Sequence, residues 1–165
     1  MTSRLAEKVA VVTGGGAGIG EATCLRFAEE GASVAVVDRD ATSAEGTAAA
    51  IADAGGPEAL PVTTDVSDES AVEAMAQRVA ERFGGVDVLV NNAGIRVEPQ
   101  SVTEADEASW DRILDVNLKG YAFCAKHAIP LMNEGGSVVN VASVGPGRPA
   151  PSGPSTTRRR VRSSR

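Results

Sequence analysis

The chain has 165 residues and a mass of 16.8 kDa, which is the size of a single domain. Hydrophobic residues make up 42% of it and charged residues 23%, close to globular averages, so the composition excludes a disordered or fibrous protein. The net charge of −6 argues against a nucleic-acid-binding protein, and no apolar stretch approaches the roughly 18 residues of a membrane span.

Short valine-rich runs alternate with longer alanine-rich segments over residues 1–144. Most runs are apolar on both faces, which is typical of parallel strands buried between helices. The predicted strands are Val9–Val12, Ser33–Val37, Ala59–Val62, Val86–Val90 and Ser137–Val141. The predicted helices are at about Gly18–Glu30, Thr42–Ala54, Ser67–Phe83 and Glu107–Leu131. This alternation predicts an α/β fold, a Rossmann-like doubly wound parallel sheet with right-handed crossovers.

The first predicted strand runs into a glycine-rich loop, Thr13-Gly-Gly-Gly-Ala-Gly-Ile-Gly20, and a predicted helix follows. Backbone amides at a helix N-terminus bind a pyrophosphate group, which approaches closely only where side chains are absent. The glycine spacing fits T-G-x-x-x-G-I-G and not the common G-x-G-x-x-G. Taken alone, the loop is also compatible with a flexible glycine turn.

Asp38 ends the second predicted strand, 18 residues after Gly20. An acid at about this distance from a glycine loop hydrogen-bonds the ribose hydroxyls of adenosine and repels the additional phosphate of NADP, so Asp38 favours NAD. Two alternatives stay open. The guanidinium of the neighbouring Arg39 can bind that phosphate, and an aspartate also commonly begins a turn.

Polar or glycine residues follow three further predicted strands: Asp65-Val66 after the third, Asn91–Gly94 after the fourth and Ser143 after the fifth. Ligands of open parallel sheets bind beyond the carboxyl ends of the strands. Each cluster alone is compatible with an ordinary loop. Five consecutive strand ends together favour one binding crevice.

Asn117 lies within the fourth predicted helix, at helical spacing from Trp110, Leu114 and Tyr121. An amide on this apolar face needs hydrogen-bond partners. A satisfied core asparagine and a functional residue are equally compatible with that position. The single histidine, His127, is interpreted as a capping or surface residue.

Cys24 and Cys124 lie far apart and form neither a CxxC pair nor a disulfide framework, which favours a reducing compartment. We interpret both as core residues and predict no metal site. The apolar run Val9–Val12 is too short for a signal peptide. We therefore expect a cytoplasmic protein with no membrane association.

Residues 145–165 differ from the rest of the chain. Six of the 16 basic residues are arginines in this segment, which has no acid, so residues 1–144 hold ten basic against 22 acidic residues, a net charge of −12. Glycine, proline, serine and arginine dominate the segment and leave little apolar surface to bury. We expect one domain, residues 1–144, and a disordered tail, residues 145–165. The acidic domain opposes nucleic-acid binding by the arginines, so no nucleic-acid partner is predicted.

Together, these motifs resemble the short-chain dehydrogenase/reductase family from about Leu5 to Ser143. The resemblance implies an NAD-dependent oxidoreductase acting on a small-molecule alcohol or ketone. It assigns the pyrophosphate to the glycine loop, the adenosine ribose to Asp38 and the nicotinamide ribose region to Asn92–Gly94. The cofactor-binding residues that it implies are Thr13, Gly14, Gly18, Ile19, Gly20, Asp38, Asp65, Val66, Asn92, Ala93 and Gly94.

The resemblance also implies two catalytic residues: Ser143, which polarises the substrate carbonyl, and Asn117, which holds a helix kink and a proton-relay water. The family places a tyrosine 13 residues after the serine and a lysine four further on, where this chain has Thr156 and Arg160. Its sixth and seventh strands are missing too. We expect a truncated sheet of about five strands with little or no turnover, and a homo-oligomer, common in the family, is doubtful. A non-catalytic NAD-binding remnant is the alternative.

The sequence of residues 145–165 indicates why the tyrosine and lysine are missing. Ser155–Arg160 can be encoded as AGT ACG ACG CGT CGA AGG. With a Pro154 codon that ends in C, the reading frame starting one nucleotide earlier spells Gln-Tyr-Asp-Ala-Ser-Lys, which has the family's tyrosine and lysine spacing. We therefore expect a frameshift between Ser143 and Pro154, and the coding DNA tests it directly.

Overall fold

The computed structural model describes residues 3–96 and 106–143, so the predicted disordered tail and positions 156 and 160 lie outside the described residues. Five parallel strands form one sheet in the order β3-β2-β1-β4-β5. They are β1 (Val9–Thr13), β2 (Ser33–Asp38), β3 (Ala59–Thr63), β4 (Val86–Asn91) and β5 (Met132–Asn140). The predicted Rossmann-like parallel sheet is confirmed.

Three helices follow the first three strands: α1 (Gly18–Glu29), α2 (Ala41–Asp53) and α3 (Glu69–Phe83). Asp40 and Asp68 begin α2 and α3, because their carboxylates accept hydrogen bonds from two backbone N–H groups of each first turn. The fourth helical region consists of α4 (Glu107–Leu114), a π-helical turn (Asp115–Lys119), α5 (Gly120–Ala128) and a 3-10 turn (Ile129–Leu131). No helix among the described residues is long and apolar enough to cross a membrane.

The helices cover the two faces of the sheet with separate hydrophobic cores. On one face, α1 and α2 pack against the strands through a cluster that includes Cys24, Ala28, Ala44, Ala48 and Ile51. On the other face, α3 and α5 pack through a cluster that includes Val72, Met75, Val79, Cys124 and Ala128. Strands β1 and β2 supply residues to both clusters, which is why their sequences are apolar on both faces.

The fourth predicted helix, Glu107–Leu131, is interrupted. Its π-helical turn has a hydrogen-bond pattern one residue wider than that of an α-helix, so the regular spacing used to place Asn117 beside Trp110 and Leu114 does not hold across it. Trp110 and Leu114 are 47% and 41% exposed, so the apolar face predicted from their spacing is not a buried one at these two positions.

Strand β5 begins at Met132, five residues earlier than predicted, and ends at Asn140. The intervening Asn133-Glu-Gly-Gly136 resembles a turn in sequence, but its pairing with β4 shifts register between Val86 and Val88 and accommodates the additional residues. Val141 still bonds to β4 through its backbone N–H, which donates to the Asn91 carbonyl at 2.9 Å. The end of β5 is therefore held beside the end of β4.

Candidate cofactor-binding and active site

A cleft of about 160 Å³ opens beyond the carboxyl ends of the strands, where the chain order reverses between β1 and β4. Such a switch point is where open α/β sheets bind their ligands. The cleft is lined by Gly14, Val37, Asp38, Arg39, Thr64, Asp65, Val66, Ala93, Gly94, Ile95 and Val116. It brings together residues from four of the predicted strand ends.

The glycine loop joins β1 to α1 at one side of this cleft. A Cβ at Gly20 would lie 1.9 Å from the Gly14 carbonyl oxygen, so only glycine allows α1 to pack this closely on the loop. Gly14 itself has a φ of +65°. A Cβ at Gly18 would meet no atom within 4 Å, which leaves open space over the start of the helix. The loop therefore forms a cradle that a ligand can approach closely.

The N-terminus of α1 has no side-chain cap. Its N-cap residue is Ala17, whereas an aspartate carboxylate accepts from the first amides of α2 and α3. The backbone N–H groups of the first turn of α1 are therefore free of a side-chain cap, and the glycine at Gly18 leaves space above them. This arrangement fits the pyrophosphate of a dinucleotide. Ile19, 67% exposed, flanks this end of the helix. The residues present therefore fit the predicted cofactor.

Thr13 joins the ends of β1 and β4. Its hydroxyl accepts hydrogen bonds from the backbone N–H groups of Asn92 (3.0 Å) and Ala93 (3.1 Å) and donates to the Val90 carbonyl (3.4 Å). The side-chain amide of Asn92 donates back to the carbonyls of Thr13 (3.0 Å) and Gly14 (3.2 Å). Thr13 and Asn92 therefore act on the cleft by fixing the backbone that forms its floor.

Asp38 lies at the cleft with both carboxylate oxygens held by backbone donors. Oδ2 accepts from the N–H of Gly16 at 3.0 Å, and Oδ1 accepts from the N–H of Asp40 at 3.1 Å. Asp38 therefore stabilises the turn after β2, as one alternative predicted, and it also lies at the cleft, where the other alternative places the adenosine ribose. Arg39 lines the same cleft.

Asp65 and Val66 follow β3 on the far wall of the cleft. The hydroxyl (2.6 Å) and the N–H (2.9 Å) of Ser67 donate to Asp65 Oδ1, and these bonds, with a smaller contribution from the positive charge of Arg39, hold the pKa of Asp65 below its ordinary value. Val66 is buried, and a Cβ at Gly120 would lie 2.9 Å from its Cγ2. Helix α5 therefore packs directly on this wall.

Asn117 lies in the π-helical turn, and both polar atoms of its side chain are hydrogen-bonded to the backbone of one residue. Its Oδ1 accepts from the Ile95 N–H at 2.8 Å, and its Nδ2 donates to the Ile95 carbonyl at 2.9 Å. Gly94 lies beside it, since a Cβ there would be 3.4 Å from the Asn117 Oδ1. The amide thus has satisfied partners and also fixes the chain segment that lines the cleft.

Ser143 is exposed and lies three residues beyond the end of β5, and it does not line the cleft. The strand end is fixed by Tyr121, whose hydroxyl donates to the Val141 carbonyl at 3.0 Å. Tyr121 is the single tyrosine of the chain, and burial raises its pKa. With its proton engaged by a carbonyl, Tyr121 does not replace a proton donor at position 156.

The structure adds cleft residues that sequence reasoning missed. Ile95 and Val116 line the cleft through apolar side chains, which carry no chemical signal in the sequence. Thr64 is buried beside Asp65, and the motif T-G-x-x-x-G-I-G treats Gly16 as a variable position although its N–H contacts Asp38. The signal that could have identified Gly16 is that a glycine occurs at a position where the motif allows any residue.

The remaining reactive groups lie outside the cleft. Cys24 and Cys124 are free and buried, and burial raises the pKa of each thiol to about 12, which makes them poor nucleophiles. His127 Nε2 lies 3.2 Å from Glu69 Oε1, in a contact between α5 and α3. Within residues 3–96 and 106–143, no three His, Cys, Asp or Glu side chains are grouped to hold a metal ion.

Comparison with known proteins gives a matching family model and several relatives. The family model described as short chain dehydrogenase matches residues 8–155. The cis-4-hydroxycyclohexanecarboxylate dehydrogenase of Sinomonas cyclohexanicum is 47% identical over 146 residues, which cover 87% of this chain and 58% of that protein. The chain therefore spans little more than half the length of this curated relative.

Two solved structures have the same fold over most of this chain. The 3-ketoacyl-(acyl-carrier-protein) reductase from Brucella melitensis, complexed with NADH, has a TM-score of 0.81 and 42% identity over 89% of this chain and 62% of that one. A short chain dehydrogenase from Burkholderia cenocepacia J2315, in complex with NADP, has a TM-score of 0.80 and 38% identity over 86% of this chain and 57% of that one.

Proposed function

Because this chain belongs to the short chain dehydrogenase family, we propose that it is the NAD-binding part of an oxidoreductase that transfers hydride between the cofactor and a small alcohol or ketone. The observation that carries the proposal is the cleft at the strand switch point, with the glycine cradle on one side and the Asp38 carboxylate at its edge. The nicotinamide supplies the hydride chemistry when it is bound.

We assign the cofactor to the cleft by the chemistry of its lining. The uncapped amides of α1, with Gly14, Gly18 and Gly20, hold the pyrophosphate. Asp38 accepts from the adenosine ribose, and Asp65 with Val66 flanks the adenine. Thr13 and Asn92 hold the backbone of Ala93 and Gly94, which lies toward the nicotinamide ribose.

Ser143 and Asn117 are assigned the reaction end of the site. The Ser143 hydroxyl, exposed beyond β5, donates a hydrogen bond to the substrate oxygen and polarises the carbonyl. Asn117 keeps the cleft wall in place through its two hydrogen bonds to Ile95. The family resemblance assigns to it the helix kink and a proton-relay water. The relative from Sinomonas is named for a hydroxylated cyclohexanecarboxylate, which supports a secondary alcohol as the substrate class.

The preference for NAD over NADP rests on the charges at the end of β2. The Asp38 carboxylate would face a 2′-phosphate as a like charge, while the neighbouring Arg39 would attract it. The charge of Arg39 also acts on Asp65 across the cleft. Asp38 is held at the cleft by two backbone donors, so its repulsion of the phosphate is proposed to outweigh the attraction by Arg39, and NADH binds more tightly.

Turnover by the chain as written is proposed to be slight, because Thr156 and Arg160 stand where the family has its tyrosine and lysine. An aliphatic hydroxyl is a much weaker acid than a phenol, and the planar guanidinium does not replace a compact ammonium. The same substitution favours the second candidate function, a non-catalytic NAD-binding remnant. Free, buried cysteines support a reducing cytoplasm as its compartment.

Fluorescence titration of the full chain with NADH and with NADPH tests the cofactor assignment. We expect NADH to bind about tenfold more tightly, and Asp38→Ser to bring the two dissociation constants within about threefold, since one like charge near the phosphate is removed. Glu45→Gln on the outer side of α2 is the control and should leave the ratio unchanged. Tighter NADPH binding by the wild type would mean that Arg39 outweighs Asp38, and binding of neither nucleotide would contradict the proposed function.

A further inference from the structure

Gly16 connects the glycine loop to the carboxylate at the end of β2. Its backbone N–H donates to Asp38 Oδ2 at 3.0 Å, while the N–H of Asp40 donates to Asp38 Oδ1 at 3.1 Å. The two donors belong to different segments, the β1–α1 loop and the β2–α2 turn. One carboxylate is therefore oriented by two segments that are 22 and two residues away from it in sequence.

The absence of a side chain at Gly16 also contributes to the position of Asp38, in addition to the hydrogen bond from its backbone N–H. A Cβ at this position would lie 2.6 Å from the Ser43 Cβ and 2.9 Å from Asp38 Oδ2, both well inside ordinary van der Waals contact. Gly16 is not among the glycines with positive φ, so an alanine there meets a steric conflict and no backbone strain. Ser43 cannot withdraw easily, because it lies in the first turn of α2 and its hydroxyl donates to Asp40 Oδ2 at 3.1 Å.

We propose that Gly16 is a specificity-positioning residue, which acts through Asp38 to set the preference for NAD over NADP. This inference rests on the proposed function. The two cofactors differ only in whether the adenosine 2′ position carries a hydroxyl or a phosphate. A carboxylate discriminates between them only while it stays at that position, because a side chain that turns away relieves the repulsion. The Gly16 N–H and the space left by its missing Cβ keep Asp38 there.

Four versions of the full 165-residue chain test this coupling: wild type, Gly16→Ala, Asp38→Ala and the double variant. Each is titrated with NADH and with NADPH, and thermal unfolding is recorded for each. Gly46→Ala is the matched control, because a Cβ at that exposed position of α2 meets no atom within 4 Å. The double variant shows whether any effect of Gly16 passes through the Asp38 carboxylate.

We expect Gly16→Ala to lower the NADH-to-NADPH affinity ratio about fivefold, and Gly46→Ala to leave it within about 1.5-fold of wild type. In the Asp38→Ala background, Gly16→Ala should change the ratio by less than about twofold, because the group that it positions is gone. If Gly16→Ala does not fold, the Gly16→Ala/Ser43→Gly variant removes the 2.6 Å contact and keeps the 2.9 Å contact with Asp38, so it tests the same displacement.

The inference is overturned if the folded Gly16→Ala chain keeps the wild-type ratio, or if Gly16→Ala changes the ratio equally with and without Asp38. Both results leave the proposed function standing, because NADH binding by the wild type is measured separately. A wild-type chain that binds neither nucleotide overturns both proposals, and that outcome is visible before any variant is made.

Discussion

The two halves of the sheet, β1 to β3 on one side and β4 with β5 on the other, differ in how completely they are packed. On the side of β1, β2 and β3, every residue of β1 is buried, β2 is buried through its centre, and α1 and α2 cover one face. On the side of β4 and β5, strand β5 is exposed from Asn133 to Asn140. The cofactor cradle and Asp38 belong to the packed side, whereas Ser143 follows the exposed strand. The proposed cofactor-binding residues and the proposed catalytic serine therefore lie in regions with very different structural support.

The two edges of the sheet show the same contrast. The edge strand β3 is short and has Pro61 at its centre, which removes a backbone donor and discourages the addition of another strand. The edge strand β5 has nine residues and no proline, and its Val138 and Val139 are 38% and 45% exposed. The β5 edge is therefore the part of the described sheet most open to association.

A turnover assay, read beside NADH binding, separates the proposed cofactor-binding half of the sheet from the proposed catalytic half. The 165-residue chain should bind NADH but interconvert secondary alcohols and ketones about 10²–10⁴-fold more slowly than a version with the reading frame restored after Ser143, because a positioned group that takes the alcohol proton in oxidation and returns it in reduction contributes this much. Both proteins are assayed against the same panel of secondary alcohols and ketones. Comparable rates would rule out a tyrosine-dependent mechanism for this protein.

Gly20→Ala should have the largest effect on the packed side. Its Cβ would lie 1.9 Å from the Gly14 carbonyl oxygen and 2.6 Å from Asn92 Nδ2, so the loop and α1 must separate. We expect unfolding free energy to fall by about 3 kcal/mol and NADH affinity to fall more than about tenfold. Urea denaturation and NADH titration measure the two effects, with Gly46→Ala as the control. Unchanged NADH binding would mean that the cradle does not hold the cofactor.

The pH dependence of stability tests the contact between β1 and β4 at the N-terminal ends of these strands, where Asp87 of β4 bonds to Val9 of β1. Burial raises the pKa of Asp87, but hydrogen bonds from the Val9 N–H, Lys8 and Asn133 lower it by more, so its pKa lies below the ordinary value. The stabilisation is therefore present above about pH 4 and is lost as the pH falls through the lowered pKa.

Asp87→Asn should cost about 1–2 kcal/mol at neutral pH, because the charged acceptor of the Val9, Lys8 and Asn133 donors is replaced by a neutral one. The difference from wild type should shrink below about pH 4. Urea denaturation from pH 3 to 7 measures it, with the exposed Asp53→Asn as the control. A difference that stays constant over this range would show that the charge of Asp87 is not responsible.

The smallest expected effect concerns the exposed edge. We expect the chain to associate or to be poorly soluble, and Val139→Lys on β5 to increase the monomeric fraction about twofold, because an inserted charge opposes strand addition. Thr63→Lys on the β3 edge is the matched control and should change little. Size-exclusion chromatography at several concentrations measures the outcome. A wild-type chain that is monodisperse and melts cooperatively would contradict the expectation.

The sequence was sufficient for β1, β2 and β4 because each has a short run rich in valine, and most of the residues in these runs are buried. It was insufficient for the fourth helix, because the π-helical turn coincides with hydrogen bonds between Asn117 and Ile95, which are 22 residues apart. Local periodicity contains no information about such a contact. The start of β5 was missed for the same reason, since pairing with β4 overrides a segment that resembles a turn.

The amino-acid sequence by itself determined the fold class, the family and the chemical types at the strand ends, because buried parallel strands and side-chain-free phosphate loops need particular residues at particular spacings. Only the tertiary structure decided how those residues are used. It oriented Asp38 through the amide of Gly16, satisfied Asn117 through Ile95 and left Ser143 beyond an exposed strand. Hydrogen bonds between distant segments fix side-chain direction, and their partners are adjacent only after folding.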